Sequence, residues 1–278
     1  MSDTPKREIL ATSERFAEID GEWGHESTIV LYRMGKAFYL GRSHGRYSSR
    51  EEVNFNDIFE STLIPSADIS PIFPEHFTRA PDPLPRLCYL KEAHPMSYEP
   101  SQPKVLGDLM LQEATTWETL KHSPHPNIVK YHGCQVRDGR ITGLCFPKYH
   151  DTLLSRVNPG HSGKRHFDAS KRPLKDVKSC LEGIGKGLKH LHSLGLVHND
   201  LGPANIMFAT EDDETPIIID FGSCRPIGHS LQGVGRTPEW YDENVLASLP
   251  SNDMDALHEI AEWLSLKKNK SYKLELFC

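Results

Sequence analysis

The 278 residues suffice for one large domain or for two lobes around a cleft, and 37% hydrophobic with 25% charged residues places the chain among soluble globular proteins rather than disordered or membrane ones. A formal net charge of −6 disfavours a broad nucleic-acid surface, and no stretch approaches the ~20 apolar residues of a membrane span. The six cysteines, at 88, 134, 145, 180, 224 and 278, lack metal-ligand spacing and read as reduced thiols of an intracellular protein. In chain order, residues 1–27 are polar and weakly periodic and read as a mobile lead-in, neither a secretory signal nor a transit peptide. Thr28 to Leu40 holds two β-rich runs around Met34-Gly35-Lys36, a hairpin pattern. Gly41 to Arg86, rich in Ser, Pro, Arg and Glu, predicts an irregular insertion with short elements. Leu87 to Lys91 predicts a short strand, and Leu106 to His122 a helix beyond a proline-bearing loop. Ile128 to Tyr131 and Ile141 to Phe146, with the turn Asp138-Gly139 between them, predict a second hairpin.

The clearest periodicity runs from Leu174 to Leu194, where Leu174, Val177, Leu181, Ile184, Leu188 and Leu191 recur at alternating gaps of three and four, one buried helical stripe. Past Gly195 the chain enters His198-Asn199-Asp200 on a loop, and Ile206 to Phe208 and Ile217 to Ile219 flank the acidic turn Glu211 to Glu214 as another hairpin. Asp253 to Leu264 predicts a last helix with Met254, Leu257, Ile260, Ala261 and Leu264 on one face. The basic stretch His161 to Arg172 reads as a solvated loop or as a surface for an acidic partner.

Chemistry concentrates in His198-x-Asp200-x-x-x-x-Asn205, followed fifteen residues later by Asp220-Phe221-Gly222. Two carboxylates and a carboxamide are delivered by loops at the ends of one short hairpin, which brings them toward one point. Hard oxygen ligands in that grouping suit magnesium, which takes one or two protein ligands besides phosphate oxygens and water. An isolated loop Asp is more often a turn or cap residue; the joint spacing and the flanking strands weigh against that reading here.

Five segments in order resemble a protein kinase: HPNIVKYHG the stretch joining the regulatory helix to the next strand, LVHNDLGPANIMF the catalytic loop, IIIDFG the metal-binding motif, GRTPEWYDENVL the end of an activation segment, and NDMDALHEIAEWL the helix that anchors the large lobe. The resemblance implies an α+β, two-lobed protein-kinase-like fold, with a small, mainly antiparallel β lobe at 28–147 and a mostly helical lobe at 148–278 truncated after the anchoring helix. It implies ATP and magnesium as cofactors and a protein substrate or binding partner; the charge and the lack of an apolar span predict no nucleic-acid or membrane partner, and the cysteines an intracellular, cytoplasmic or nuclear setting. The sequence carries no signal of oligomeric state. By similarity, Asp200 would accept or orient the substrate hydroxyl proton, Asn205 and Asp220 would hold the metal, Lys91 would contact the α and β phosphates, and Glu113 would pair with Lys91. Phe146 would stand at the back of the nucleotide pocket, Pro147 and Tyr149 would offer backbone groups to adenine, and Met207 would form its floor. His198 and Phe221 would stack with Trp117 and Tyr131 as an internal spine.

The chain also departs from the family pattern. No G-x-G-x-x-G occurs, Tyr89 stands where kinases carry a small Ala, Gly202 replaces a basic residue, Asn199 replaces Arg, and Asn244 replaces Glu. Thr237 keeps a residue of the hydroxyl-transferring kinases. Three readings follow: an active Ser/Thr-type phosphotransferase, a pseudokinase that binds or scaffolds, and, as a minor alternative that HPNIVKYHG opposes, a small-molecule kinase.

Overall fold

The computed structural model describes residues 6–160 and 162–265, so the first five residues, His161 and the tail after Ser265 lie outside the described residues. The chain divides into two compact units. The first comprises the chain up to Glu75 together with Glu92–Leu111 and Val136–Gly143; the second comprises His76–Lys91, Gln112–Gln135 and the chain from Leu144 on.

In the first unit β1 (Arg7–Ile19), β2 (Glu22–Met34), β3 (Ala37–Ser43) and β4 (Phe59–Ile64) form an antiparallel sheet in chain order. A two-residue turn joins β1 to β2, with Asp20 (φ 54°) and Gly21 (φ 86°) both left-handed, as such hairpins require. Leu31 faces a cluster of Ile64, Ile69 and Tyr98, to which the short helix α1 (Ser66–Ile69) contributes, while Val30 and Tyr32 face Val53 on the other side. Among the described residues of the polar lead-in expected at 1–27, the structure corrects the expectation: β1 pairs with β2 from Arg7–Met34 to Ile19–Glu22. No residue of β1 is fully buried, and cross-strand ion pairs such as Glu8–Arg33 (2.5 Å) and Arg15–Glu26 (3.3 Å) line it. Such a strand is held by its backbone ladder and carries little hydrophobic alternation to read. The expected hairpin around Gly35 and the short elements between Gly41 and Arg86 are present.

In the second unit β5 (Cys88–Lys91) pairs with β7, and the helix α2 (Val105–Leu120) contributes its C-terminal half. The sheet runs β5-β7-β6, with β6 (Gly133–Arg137) and β7 (Arg140–Pro147) joined by Asp138-Gly139, both at positive φ. The second hairpin therefore begins at Gly133 rather than at Ile128, because a two-residue turn zips its immediate flanks together. Ile128 and Val129 are instead drawn to Ile218, whose carbonyl accepts from the Val129 N–H at 3.0 Å. Cys88 and Cys145 lie diagonally across β5 and β7, with Cα atoms 6.3 Å apart; Cys134, Cys180 and Cys224 are buried and free.

Beyond β8 (Asp151–Thr152) and α3 (Leu153–Val157), the long helix α4 (Val177–Ser193) starts after Leu174, because Asp176 caps it by accepting from the Ser179 N–H at 2.9 Å. Its buried stripe includes Leu181, Ile184, Leu188 and Leu191. Gly183 lets the Asn127 loop approach: a Cβ there would lie 2.7 Å from Pro216 Cγ, and the Asn127 amide donates to Pro216 O at 2.8 Å. The remaining strands are β9 (Leu196–Val197), β10 (Ile206–Phe208), β11 (Ile217–Ile218) and β12 (Arg225–Pro226), with sheets β11-β10-β8 and β12-β9. The helix α5 (Pro250–Leu264) begins before the expected Asp253 and buries Leu257, Ile260, Ala261 and Leu264, while Met254, expected on the same face, is half-buried. Among the described residues no helix is long and apolar enough to cross a membrane.

Candidate active site

Lys91 ends β5, and its ammonium meets two carboxylates: Glu113 of α2, with Nζ to Oε2 at 2.7 Å, and Asp220, with Nζ to Oδ1 at 2.8 Å. These are distances of charge-assisted pairs. Burial pulls the Lys91 ammonium down, but the two carboxylates together outweigh it and its pKa lies above the ordinary lysine value. Burial also acts on Asp220, pushing it up; the Lys91 charge and hydrogen bond, aided by the Gly222 N–H, overcome this and hold it below the usual Asp range. Glu113 is pushed upward by burial against the pull of Lys91. Trp117 steadies the same carboxylate, its Nε1–H donating to Oε1 at 3.2 Å.

Glu118, five residues after Glu113 on α2, has other partners. Glu118 accepts from the Thr78 N–H (2.8 Å) and hydroxyl (3.0 Å) and pairs with Lys121 at 2.5 Å. It holds an extended segment and not the Lys91 cluster.

Beside Lys91 opens a cavity of about 350 Å³, lined by Tyr89, Phe146, Pro147, Tyr149, Met207 and Asp220 among others. That volume lies within the range of small-molecule sites, and its lining is mainly apolar, as an aromatic heterocycle requires. Tyr89 is half exposed and forms one wall.

Asp200, Asn205 and the residue before Asp220 are tied together. The Asn205 amide donates to Asp200 O (2.8 Å) and Oδ2 (3.1 Å), and the Ile219 N–H donates to Asn205 O at 3.0 Å. The Thr237 N–H donates to Asp200 Oδ1 at 2.6 Å, so Thr237 reaches the catalytic-type loop through its backbone. Asp220 takes φ +60°, which turns its carboxylate toward Lys91. A Cβ at Gly222 would lie 3.3 Å from Asp220 Oδ1, so that carboxylate would have to give by a few tenths of an ångström. Among the described residues no group of three or more His, Cys, Asp or Glu side chains is gathered into a metal site.

The spine of rings expected from the sequence is present. His198 packs edge-on against Phe221 (4.9 Å between centroids), Phe221 meets Trp117 (4.5 Å), and Trp117 stacks with Tyr131 (6.0 Å). Phe146 adds an edge contact to Trp117 at 5.0 Å.

What the sequence reading missed is Asp253. Fully buried, it accepts from the backbone N–H of His198 (2.9 Å) and Asn199 (2.8 Å) and meets His192 Nε2 at 2.7 Å. A charged residue in the first turn of an otherwise apolar-faced helix is the one signal that points to it. The replacement of Arg by Asn199 also gains a physical account. At φ +63° and buried, Asn199 donates to Val197 O, Ser223 O and Ser248 Oγ and accepts from Asn252. A short carboxamide closes this clasp inside the protein, where a guanidinium would bring a buried charge.

The sequence pattern of the protein kinase domain matches residues 93–256, more than half of the chain. The match begins just past Lys91, whose assignment rests on its geometry. Similar proteins include the serine/threonine-protein kinase/endoribonuclease IRE1 of Hypocrea jecorina, 30% identical over 41% of this chain and 9% of that protein. A probable myosin light chain kinase of Dictyostelium discoideum is 28% identical over 50% of this chain and 42% of its own length, and the serine/threonine-protein kinase Tao of Drosophila melanogaster is 28% identical over 58% and 14%. The chain thus spans less than half the length of these relatives. Segment order, site geometry and the extent of the match agree: the chain belongs to the protein kinase domain family.

Proposed function

We propose that this chain is an ATP- and magnesium-dependent phosphotransferase of the Ser/Thr protein kinase type, moving a γ-phosphoryl group to a protein hydroxyl. The observation that carries this reading is the Lys91 ammonium bound at once by Glu113 and Asp220 at the edge of a mainly apolar cavity. A bound magnesium nucleotide would supply the transferable group and neutralise its charge. Lys91, kept protonated by its two carboxylates, would grip the α and β phosphates. Asp220, held ionised, and Asn205 would hold the metal. Phe146 and Met207 would enclose the base, and the backbone at Pro147 and Tyr149 would pair with its edge. Asp200, fixed by Asn205 and Thr237, would take the proton of the incoming hydroxyl. The same reading takes residues 28–147, extended by β1 and β2, as a small lobe and 148–278 as part of a large lobe, in a cytoplasmic or nuclear protein.

Gly202 and the missing glycine loop favour a second reading, a pseudokinase that binds nucleotide or a partner without turnover. Phosphoryl transfer from labelled ATP to generic protein substrates separates the two. The proposal expects transfer that falls by about 10²-fold or more in Asp200→Ala, the usual loss with a general base. Transfer untouched by that substitution, or nucleotide binding by the natural protein with no transfer, overturns it.

A further inference from the structure

A second cavity, of about 420 Å³, lies within the second unit, walled by the C-terminal end of α2, the loop from Ser123 to Pro126, the stretch from Ile128 to Tyr131, and Tyr149. Its volume is that of a small-molecule site. Trp117, Leu120 and Val129 give it buried apolar faces. Its charges are of one sign: among the described residues the lining holds Lys121, His125 and Lys130 and no carboxylate. Lys121 is neutralised by Glu118 at 2.5 Å. Burial, with the positive charge of His190 and Lys186, holds His125 below the ordinary histidine range, so its ring is uncharged at neutral pH. Lys130 is exposed and has no ion-pair partner among the described residues. Burial raises the Tyr149 phenol above its ordinary value, so its hydroxyl stays a neutral donor.

One uncompensated ammonium and a phenol at an apolar cavity match a flat aromatic ring that carries a carboxylate. Burial of the ring supplies affinity, and the charge-assisted hydrogen bond to Lys130 supplies orientation. Trp117, Val129 and Tyr149 line this cavity and also the one beside Lys91. Trp117 is thus a common wall, and its Nε1–H holds the Glu113 carboxylate that pairs with Lys91. A ring packed against Trp117 restrains the indole and, with it, that hydrogen bond.

We propose that this cavity is a second small-molecule site, taking an aromatic carboxylic acid through Lys130, and that its occupant reinforces the Glu113–Lys91 pair through Trp117. The coupling rests on the nucleotide reading of the Lys91 cavity; the acid site does not. Coupling between two sites is reciprocal, so acid and nucleotide raise each other's affinity by the same factor.

Isothermal titration calorimetry of the full chain with 2-naphthoate, 2-naphthylmethanol and 2-naphthylmethylamine tests the site, since the three share a ring system and differ in charge. The proposal expects naphthoate to bind most tightly. Lys130→Glu, at an exposed position, should weaken naphthoate by about tenfold or more and favour the amine. Lys91→Met removes the ammonium of the neighbouring cavity and should leave naphthoate binding within about twofold. Thermal melting checks that each variant folds. No naphthoate binding at millimolar concentration, equal binding of the three compounds, indifference to Lys130→Glu, or loss of naphthoate in Lys91→Met overturns the site. Saturating naphthoate should tighten the binding of a non-hydrolysable ATP analogue by about fivefold in the natural protein and not in Trp117→Phe, which keeps a ring and lacks the N–H. Tightening that survives in Trp117→Phe, or that is absent from the natural protein while both compounds bind, overturns the coupling alone. Absence of nucleotide binding overturns the nucleotide reading and the coupling with it, while naphthoate binding still decides the acid site.

Discussion

The sheet of the first unit and the Asp200 loop of the second are held by opposite means. In the sheet, β2 buries Leu31 on one face and Val30 and Tyr32 on the other, in small apolar clusters, and leaves its hairpin end exposed. Around Asp200 the fixed points are polar groups removed from water: Asp253 beneath two backbone amides, and Asn199 with four side-chain hydrogen-bond partners. Apolar packing tolerates loss at its margins, because a half-exposed ring gives up little on truncation. A buried polar network does not, because removing one partner leaves the others unsatisfied where water cannot reach.

That contrast predicts a ladder of effects in chemical denaturation. Asp253→Ala strands the His198 and Asn199 amides and His192, and should lower stability by roughly 3 kcal/mol or more. Asn199→Ala leaves Val197 O and Ser223 O without their donor and places a Cβ-bearing residue with no local side-chain bond at φ +63°; a loss of about 1–3 kcal/mol is expected, not additive with the first. Trp23→Ala near the β1–β2 turn, where the side chain is 77% exposed, should change stability by less than about 0.5 kcal/mol. A loss at Trp23 as large as that at Asn199 would break the comparison.

The two regions also differ in how far the sequence discloses them. The Asp200–Asn205 contact and the meeting of Asp220 with Lys91 were legible because the motifs set those residue types at fixed spacing, and the ring spine because large aromatics flank those positions. The α4 stripe was legible because a helix with one buried face repeats its apolar residues. β1 was hidden because its order comes from backbone pairing and ion pairs, which leave no apolar period. The role of Glu118 was hidden because its partner Thr78 lies on a segment with no strand pattern. The Asn199 clasp was hidden for a different reason, since its partners Ser248 and Asn252 are distant in sequence and ordinary in type.

The central claim is that Lys91, Asp220 and the adjoining cavity receive a magnesium nucleotide. Isothermal titration calorimetry of the full chain with ATP, with and without magnesium, tests it most directly. The account predicts one saturable binding event that strengthens with magnesium and weakens by about tenfold or more in a folded Asp220→Asn variant, the scale of one lost charge-assisted contact. No binding at millimolar nucleotide, or binding indifferent to both magnesium and Asp220, would contradict it.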